Sequence, residues 1–105
     1  MKGNLTPPYY AVIFTSVLED DAVNYAEMAD RMESLCSSMD GFLGMDHARS
    51  EMGITICYWR DLESIASWKD HPEHLKAQEK GISEFYRYYK VQVAKVEKTY
   101  AFNKE

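Results

Sequence analysis

The side chains best suited to chemistry lie close together in one stretch of the sequence. Trp59 and Trp68 are the two tryptophans of the chain, His71 and His74 are two of its three histidines, and all four fall within sixteen positions. Indole rings can form the walls of a site for a flat apolar ligand, and imidazole exchanges protons near neutral pH. If the chain has a pocket, we expect this stretch to line it.

His74 is the candidate general base. Pro72 suits the first position of a helix, because its missing N–H would be unpaired there anyway, and this puts His74 in the first helical turn. The positive end of the helix dipole lowers the pKa of an imidazole at that position, so the ring is expected to be neutral. A neutral imidazole facing an aromatic pocket could accept the proton of a phenol, although an exposed surface histidine is the more frequent outcome.

Three other candidates have structural explanations beside the functional ones. Trp68 would either anchor a short helix on the sheet or form a wall of the pocket. Trp59, at the end of a predicted strand, would either pack in the core, form a wall of the pocket, or lie in the contact between two copies of the chain. His47, on another predicted strand, could face the pocket or a partner sheet.

A metal site is not expected. His71 and His74 are three positions apart and could share a helix face, but no carboxylate or third histidine has the spacing that completes a known ligand set. Glu73 is the nearest acid, and it suits the first turn of a helix, where the dipole favours negative charge. His71 is expected to cap or flank the start of the same helix.

Hydrophobic periodicity predicts the elements that would hold these residues. Runs dense in β-branched and aromatic residues predict strands, and apolar spacings of three and four predict helices. Asp21 is the predicted N-cap of the first helix and Gly41 its predicted end, while Gly81 weakens the last helix and allows a bend. The predictions in chain order are a strand over 9–17, a helix over 21–41, strands over 42–49 and 53–59, a short helix carrying Trp68, a longer helix over 72–88 and a strand over 89–100.

This βαββαβ order predicts the fold class. It is typical of an α+β, ferredoxin-like domain with a four-stranded antiparallel sheet and helices on one face. The chain has 105 residues, which fits one domain. We predict a polar N-terminal arm over 1–8, the domain over 9–100 and a C-terminal tail over 101–105.

The strands carry apolar side chains on both faces, which predicts a partner. Ile13 and Phe14 are neighbours on the first strand and must point to opposite sides of the sheet. Helices can cover only one face, so we expect a second copy of the chain to cover the other. Two-fold dimers are the commonest homo-oligomers, and the prediction is therefore a homodimer.

Composition excludes several classes of partner. The net charge is −5 and the 12 basic residues are scattered, which argues against a nucleic-acid or anionic-membrane surface. No apolar run approaches membrane-spanning length and the N-terminus lacks a signal-type apolar region. Cys36 and Cys57 show no metal-type or disulfide-framework spacing, so they are expected to be reduced thiols in a cytoplasmic protein.

The run from Tyr58 to His71 reads YWRDLESIASWKDH. In this run, in the element order and in the length, the chain resembles the antibiotic biosynthesis monooxygenase family of dimeric α/β-barrel proteins. The resemblance covers about residues 9–100, and its most specific part is YWxDLESIxxW. It implies two ferredoxin-like subunits whose sheets form a barrel, with a pocket in each subunit between sheet and helices. Some members oxygenate aromatic polyketides or quinols with dioxygen and without metal or flavin, and many have no assigned activity.

A close branch of the family degrades haem, and this chain matches that branch only in part. The branch uses an asparagine on strand 1, a helix tryptophan and a haem-ligating histidine about ten residues later. Trp68 matches the tryptophan, but Gln78 stands where the histidine would be, and Ile13 to Ser16 include no asparagine. Glutamine is a poor haem ligand. Haem degradation is therefore the third hypothesis.

The leading hypothesis is a cofactor-independent monooxygenase for a small aromatic or quinol-type substrate, with no metal and no cofactor. The alternative is a non-catalytic dimer that holds a hydrophobic ligand or serves in a stress response. Arg49 and Tyr58 are of the residue types that the polyketide-oxidising members use, without a match position by position. The predicted site residues are His74 and Trp68 as catalytic groups, and Phe14, His47, Trp59 and Tyr86 as substrate contacts.

Overall fold

Four strands and three α-helices follow one another in the predicted order. The computed structural model describes residues 5–104. A short π-helical turn separates the last helix from the last strand. The elements are β1 (Tyr9–Leu18), α1 (Tyr25–Ser37), β2 (Phe42–Arg49), β3 (Gly53–Trp59), α2 (Leu62–Lys69), α3 (Pro72–Lys80), the π-helical turn (Gly81–Phe85) and β4 (Tyr86–Val96).

The four strands form one antiparallel sheet in the order β2-β3-β1-β4. The α+β, ferredoxin-like class is therefore confirmed. The register sets Val12 opposite Cys57 and Phe14 opposite Thr55, so these four side chains share one face of the sheet. That face is the one the helices cover.

The core lies between this face and the helices. Trp59 is fully buried, and it forms a cluster with Cys36 of α1 and Trp68 of α2. Both cysteines are free thiols. Cys57 packs against the cluster, and its hydrogen bond with Cys36, together with burial, raises the pKa of the Cys36 thiol. The partly buried side chains around the cluster are Val12, Met32, Leu35, Met39, Phe42, Cys57 and Ile65.

The first helix begins later than the sequence predicted. Asn24 precedes α1 with φ of 67°, a left-handed conformation that asparagine tolerates better than most residues. The N–H of Val23 donates to the carbonyl of Asp21 at 2.8 Å, which closes a turn before the helix. The predicted Asp21 cap was therefore wrong, because a turn occupies the residues that would have formed the first helical turn.

The boundary between the last helix and the last strand was also misplaced. The predicted helix to Tyr88 ends at Lys80, and β4 begins at Tyr86 and ends at Val96. Tyr86 pairs with Leu18 and Tyr88 with Val17 in the ladder with β1. Tyrosine fits a pleated surface well, and pairing with a neighbouring strand decided the conformation against the helical spacing.

The opposite face of the sheet bears no helix. There the Tyr58 hydroxyl donates to Asp46 at 2.9 Å, and its ring meets the Tyr9 ring edge-on. Ile54 on this face is 43% exposed. No helix within the described range is long and apolar enough to cross a membrane. The predicted homodimer stays a prediction.

Candidate functional site

His74 and Trp68 form a stacked pair on the helix side of the sheet. Their ring centres are 4.3 Å apart and the ring planes differ by 13°. His74 Nδ1 lies 3.0 Å from the Trp68 carbonyl oxygen. Because a carbonyl can only accept, a neutral His74 carries its proton on Nδ1 and keeps Nε2 as a proton acceptor.

The environment of His74 favours the neutral form. Burial lowers the pKa of the imidazole, and the positive charges of His71 and Lys69 act in the same direction, against the hydrogen bond to Trp68. The sequence analysis predicted the direction of this pKa shift, with the helix dipole as its cause. The main physical cause is loss of hydration of the imidazolium.

Two helix caps hold this pair in place. The Asp61 carboxylate caps α2 by accepting from the N–H of Ser64 at 2.8 Å. His71 Nδ1 caps α3 by accepting from the N–H of Glu73 at 3.1 Å, with Pro72 at the start of the helix as predicted. The two caps fix where α2 and α3 begin, and hence where the His74 ring contacts Trp68.

Trp59 lies in the same buried core cluster as Trp68. Its ring is fully buried, and it meets Phe42 edge-on with ring centres 5.5 Å apart. The Trp59 Nε1 is the buried side-chain donor without a hydrogen-bond partner among residues 5–104. The tryptophan therefore packs inside the chain and not on an outer face where two copies could meet.

A second group of side chains lies further along the same face. The Arg49 guanidinium donates through Nη2 to the hydroxyl of Ser16, whose side chain is fully buried. The same guanidinium lies over the Tyr25 ring, 5.5 Å from its centre. Aromatic contacts of 5.4 to 5.9 Å link the remaining members. We call Phe14, Ser16, Tyr25, Arg49, Tyr86 and Tyr89 the Arg49 cluster.

The Arg49 cluster combines a cation with neutral hydroxyl donors. Burial raises the pKa of Tyr86, as do the charge and the hydrogen bond of Tyr25, while Arg49 opposes the shift. Tyr86 therefore keeps its proton throughout the neutral range, with Tyr25 as its hydrogen-bond partner. Aromatic rings around these polar groups make the cluster suited to a flat ligand that carries an oxygen function.

Two glycines leave room for the cluster. A Cβ at Gly53, which pairs with Arg49 across the strands, would collide with the guanidinium. A Cβ at Gly81 would lie 2.7 Å from the Tyr86 ring. The sequence analysis missed Ser16, Tyr25 and both glycines as parts of a site, because nothing in their spacing signals contacts across strands.

The two groups occupy different ends of one face. Val12 packs against the Trp59 and Trp68 core, and Ser16 binds Arg49. Four positions of an extended strand separate them, which corresponds to about 13 Å. Phe14 lies between, on the same face of β1. The length is comparable to that of a fused-ring aromatic molecule.

The structure brings some of the predicted site residues together and separates others. Phe14 and Tyr86 are in contact, and Trp68 and His74 are stacked. His47 lies on the same face of β2 as Arg49, where it is exposed. Trp59, the sixth predicted site residue, lies in the core. The catalytic and binding roles of these six residues remain predictions.

A shallow surface pocket of about 220 Å³ near the start of α2 is lined by residues that belong to neither group. Arg60 at its edge is bonded to Asp40 at 3.0 Å and to Asp61 at 3.1 Å. These carboxylates already neutralise the arginine, so the pocket offers little to an aromatic ligand. Over the described range, no group of three or more potential ligand side chains is arranged to hold a metal ion.

Comparison with known proteins agrees with the fold. The family model described as antibiotic biosynthesis monooxygenase matches residues 8–80. The chain belongs to this family. The run from Tyr58 to His71, which carried the resemblance in the sequence, falls inside the matched range.

Similar proteins include one that is close in sequence and two that are close in structure. The uncharacterised protein YqjZ of Bacillus subtilis (strain 168) is 46% identical over 98 residues, which cover 91% of this chain and 86% of YqjZ. SnoaB, a cofactor-independent oxygenase from Streptomyces nogalater, has a TM-score of 0.75 at 10% identity, covering 89% of this chain and 97% of SnoaB. Rv0793 from Mycobacterium tuberculosis has a TM-score of 0.78 at 18% identity, covering 89% of this chain and 99% of the Rv0793 chain. At these identities the two structures establish the shared fold.

Proposed function

We propose that the protein is a monooxygenase that uses dioxygen on a small aromatic or quinol-type substrate without a metal or organic cofactor. Its membership of the antibiotic biosynthesis monooxygenase family supports this, as does a fold shared with a cofactor-independent oxygenase. The observation that carries the proposal is the position of the His74 ring, which stacks on Trp68 with Nδ1 3.0 Å from the Trp68 carbonyl oxygen, so that Nε2 of the neutral ring is left as acceptor.

In the proposed reaction, the substrate lies on the helix side of the sheet with its ring against Phe14 and Tyr86. His74 Nε2 removes a phenolic proton, and the resulting electron-rich anion reacts directly with dioxygen. One oxygen atom enters the substrate as a carbonyl, and the other leaves as water with two hydrogens taken from the substrate. Because the substrate supplies the electrons, the reaction needs no further reductant.

Trp68 has two roles in this proposal. Its carbonyl holds the tautomer and orientation of His74, and its indole ring stacks on the imidazole. An aromatic face attracts a neighbouring cation, so the stack stabilises the imidazolium that forms when the proton is transferred. Trp68 is thus proposed to assist the base rather than to react itself.

The first test replaces His74 with alanine and measures oxygen uptake by metal-free protein with a panel of anthrols and naphthoquinols. We expect turnover to fall by about 10²- to 10⁴-fold, the usual contribution of a general base, while substrate binding changes little. Lys76→Ala is the control, since Lys76 is an exposed residue of the same helix. Full turnover by His74→Ala would remove the base from the mechanism.

The same panel separates the enzyme from a binding protein. Oxygen uptake with a quinol and no added cofactor would support the oxygenase. Tight binding without uptake by any member of the panel would support a non-catalytic dimer instead. Haem with a reductant belongs in the panel as well. The Gln78 amide donates to the Lys69 carbonyl at 3.3 Å, and haem loss despite this arrangement would favour the haem-degrading hypothesis.

A further inference from the structure

Arg49 differs from the other three arginines of the chain. Arg31, Arg60 and Arg87 each form an ion pair with at least one carboxylate. Arg49 has no carboxylate partner within residues 5–104, and its contacts are the Ser16 hydroxyl and the Tyr25 ring. It lies among aromatic side chains on the face where the substrate is proposed to bind.

We propose that the Arg49 cluster binds an oxyanion of the substrate, so that the substrate is an aromatic acid ionised at neutral pH. This inference rests on the proposed function for the position of the ring and names the substrate class more closely. A carboxylate or an equally acidic enol on a fused-ring aromatic system meets the requirement.

The geometry of the guanidinium supports this assignment. A guanidinium has five N–H donors, and the described contacts account for one of them, at Ser16. The Tyr25 ring covers one face of the group and leaves its edge available. A planar fork of N–H donors matches the two oxygens of a carboxylate, and such charge-assisted pairs are stronger than neutral hydrogen bonds.

The surroundings of Arg49 match the rest of such a ligand. Tyr86 stays protonated and adds no negative charge beside the guanidinium, and the rings of Phe14 and Tyr89 stack with a 28° angle between them. A flat ring could extend from the guanidinium along Phe14 towards His74. About 13 Å of strand separates Val12 from Ser16, so we expect the acid group and the reacting phenol at opposite ends of the molecule.

The competing explanation is purely structural. Arg49 is the last residue of the edge strand β2, and its bond to Ser16 ties that strand to β1 across β3. In that case removal of the guanidinium would lower stability without changing which ligands bind. The experiment therefore has to compare ligands that differ only in charge.

The test measures binding of 2-naphthoate and of its neutral isostere 2-naphthamide to the full-length protein by isothermal titration calorimetry, without turnover. We expect naphthoate to bind at least about tenfold more tightly than naphthamide, and Arg49→Met to abolish that preference, because a hydrogen bond to a charged group contributes about a factor of ten or more. Arg60→Met is the matched control and should leave both affinities unchanged, since Arg60 is paired with Asp40 and Asp61.

Arg49→Lys tests how much of the preference for naphthoate comes from the positive charge alone. Lysine keeps the cation without the planar fork, so it should keep part of the preference for naphthoate while a melting curve reports stability. Unchanged naphthoate affinity in Arg49→Met, equal losses for naphthoate and naphthamide, or no naphthoate binding by the wild-type protein would each overturn the proposal. Because no oxygen is consumed, failure of this binding test can be distinguished from failure of the oxygen-uptake test.

Discussion

The side chains proposed for chemistry owe their properties to the positions in which they are held. Burial lowers the pKa of His74 because it removes hydration from the imidazolium, and Nε2 of the neutral ring is the acceptor because Nδ1 faces the Trp68 carbonyl. Arg49 is proposed to bind an anion because its neighbours are a hydroxyl and an aromatic ring in place of a carboxylate. In each case the surroundings select one of several functions open to the same residue type.

The lowered pKa of His74 predicts a pH-dependent stability. Between its folded pKa and the ordinary value of 6.5, the unfolded chain binds more protons at His74 than the folded chain does. The free energy of unfolding should therefore rise with pH through that interval and lose this contribution to its slope above about pH 6.5. Urea unfolding from about pH 5 to about pH 8 would measure the slope.

His74→Gln should have a shallower slope, because glutamine does not titrate. His47→Gln is the control, since His47 is an exposed histidine on a strand edge. Identical slopes for the wild type and His74→Gln would show that His74 does not titrate differently in the folded and unfolded states.

Among the secondary-structure elements, the π-helical turn has the most direct connection to the proposed site. It follows α3 at Gly81 and delivers Tyr86 to the start of β4, in contact with Phe14 and Tyr25. Such turns occur frequently at functional sites, where they change the direction of a side chain. Gly81 is buried, and the Tyr86 ring packs against its backbone.

Gly81→Ala should therefore weaken ligand binding. The backbone at Gly81 is helical, with φ of −59°, so alanine gains about 1 kcal/mol in helix propensity. The new Cβ would lie 2.7 Å from the Tyr86 ring, and overpacking of this kind costs about 1–3 kcal/mol. We expect a net loss of about 1 kcal/mol in the free energy of unfolding and a several-fold loss of naphthoate affinity.

The control for Gly81→Ala is Ser83→Ala, an exposed position in the same turn. It should leave naphthoate affinity unchanged. Denaturant unfolding and calorimetry would measure both variants. Wild-type affinity in Gly81→Ala would mean that the placement of the Tyr86 ring has no part in binding.

The protein as a whole exposes apolar surface that a single chain does not cover. Tyr100 and Phe102 on the C-terminal tail are 88% and 85% exposed. Val91 and Val93 of the edge strand β4 are about half exposed. Large exposed apolar side chains along a tail and an edge strand favour contact with another molecule, and we propose that this is the second copy of a homodimer.

A homodimer would have a mass of about 24 kDa, twice the 12.2 kDa of the chain. The double variant Tyr100→Ser with Phe102→Ser should raise the dissociation constant by tenfold or more, because full burial of each ring contributes about 1.5–3 kcal/mol. Light scattering across a dilution series would measure this. Leu62→Ser, which alters an exposed leucine on α2, should have no effect. A monomeric mass for the wild-type protein would rule out the dimer.

Local patterns in the chain were sufficient to predict most of the elements and their order. The bounds of β2 and β3 and the start of β1 and α3 match the predictions, because alternation, turn residues and the proline at position 72 act over a few neighbouring positions. The same local signals predicted His71 as a cap and Trp68 as an anchor on the core. The ferredoxin-like class follows from the order alone.

Tertiary contacts decided what local signals could not. Tyr86 is part of β4 because it pairs with Leu18 of β1. Arg49 contacts Ser16 because the strand register places both of them opposite Gly53. Contacts of this kind depend on how distant strands align, and residue spacing along one strand carries no record of that alignment. The candidate base was therefore found in the sequence, whereas the cluster proposed to bind an acid emerged only from the fold.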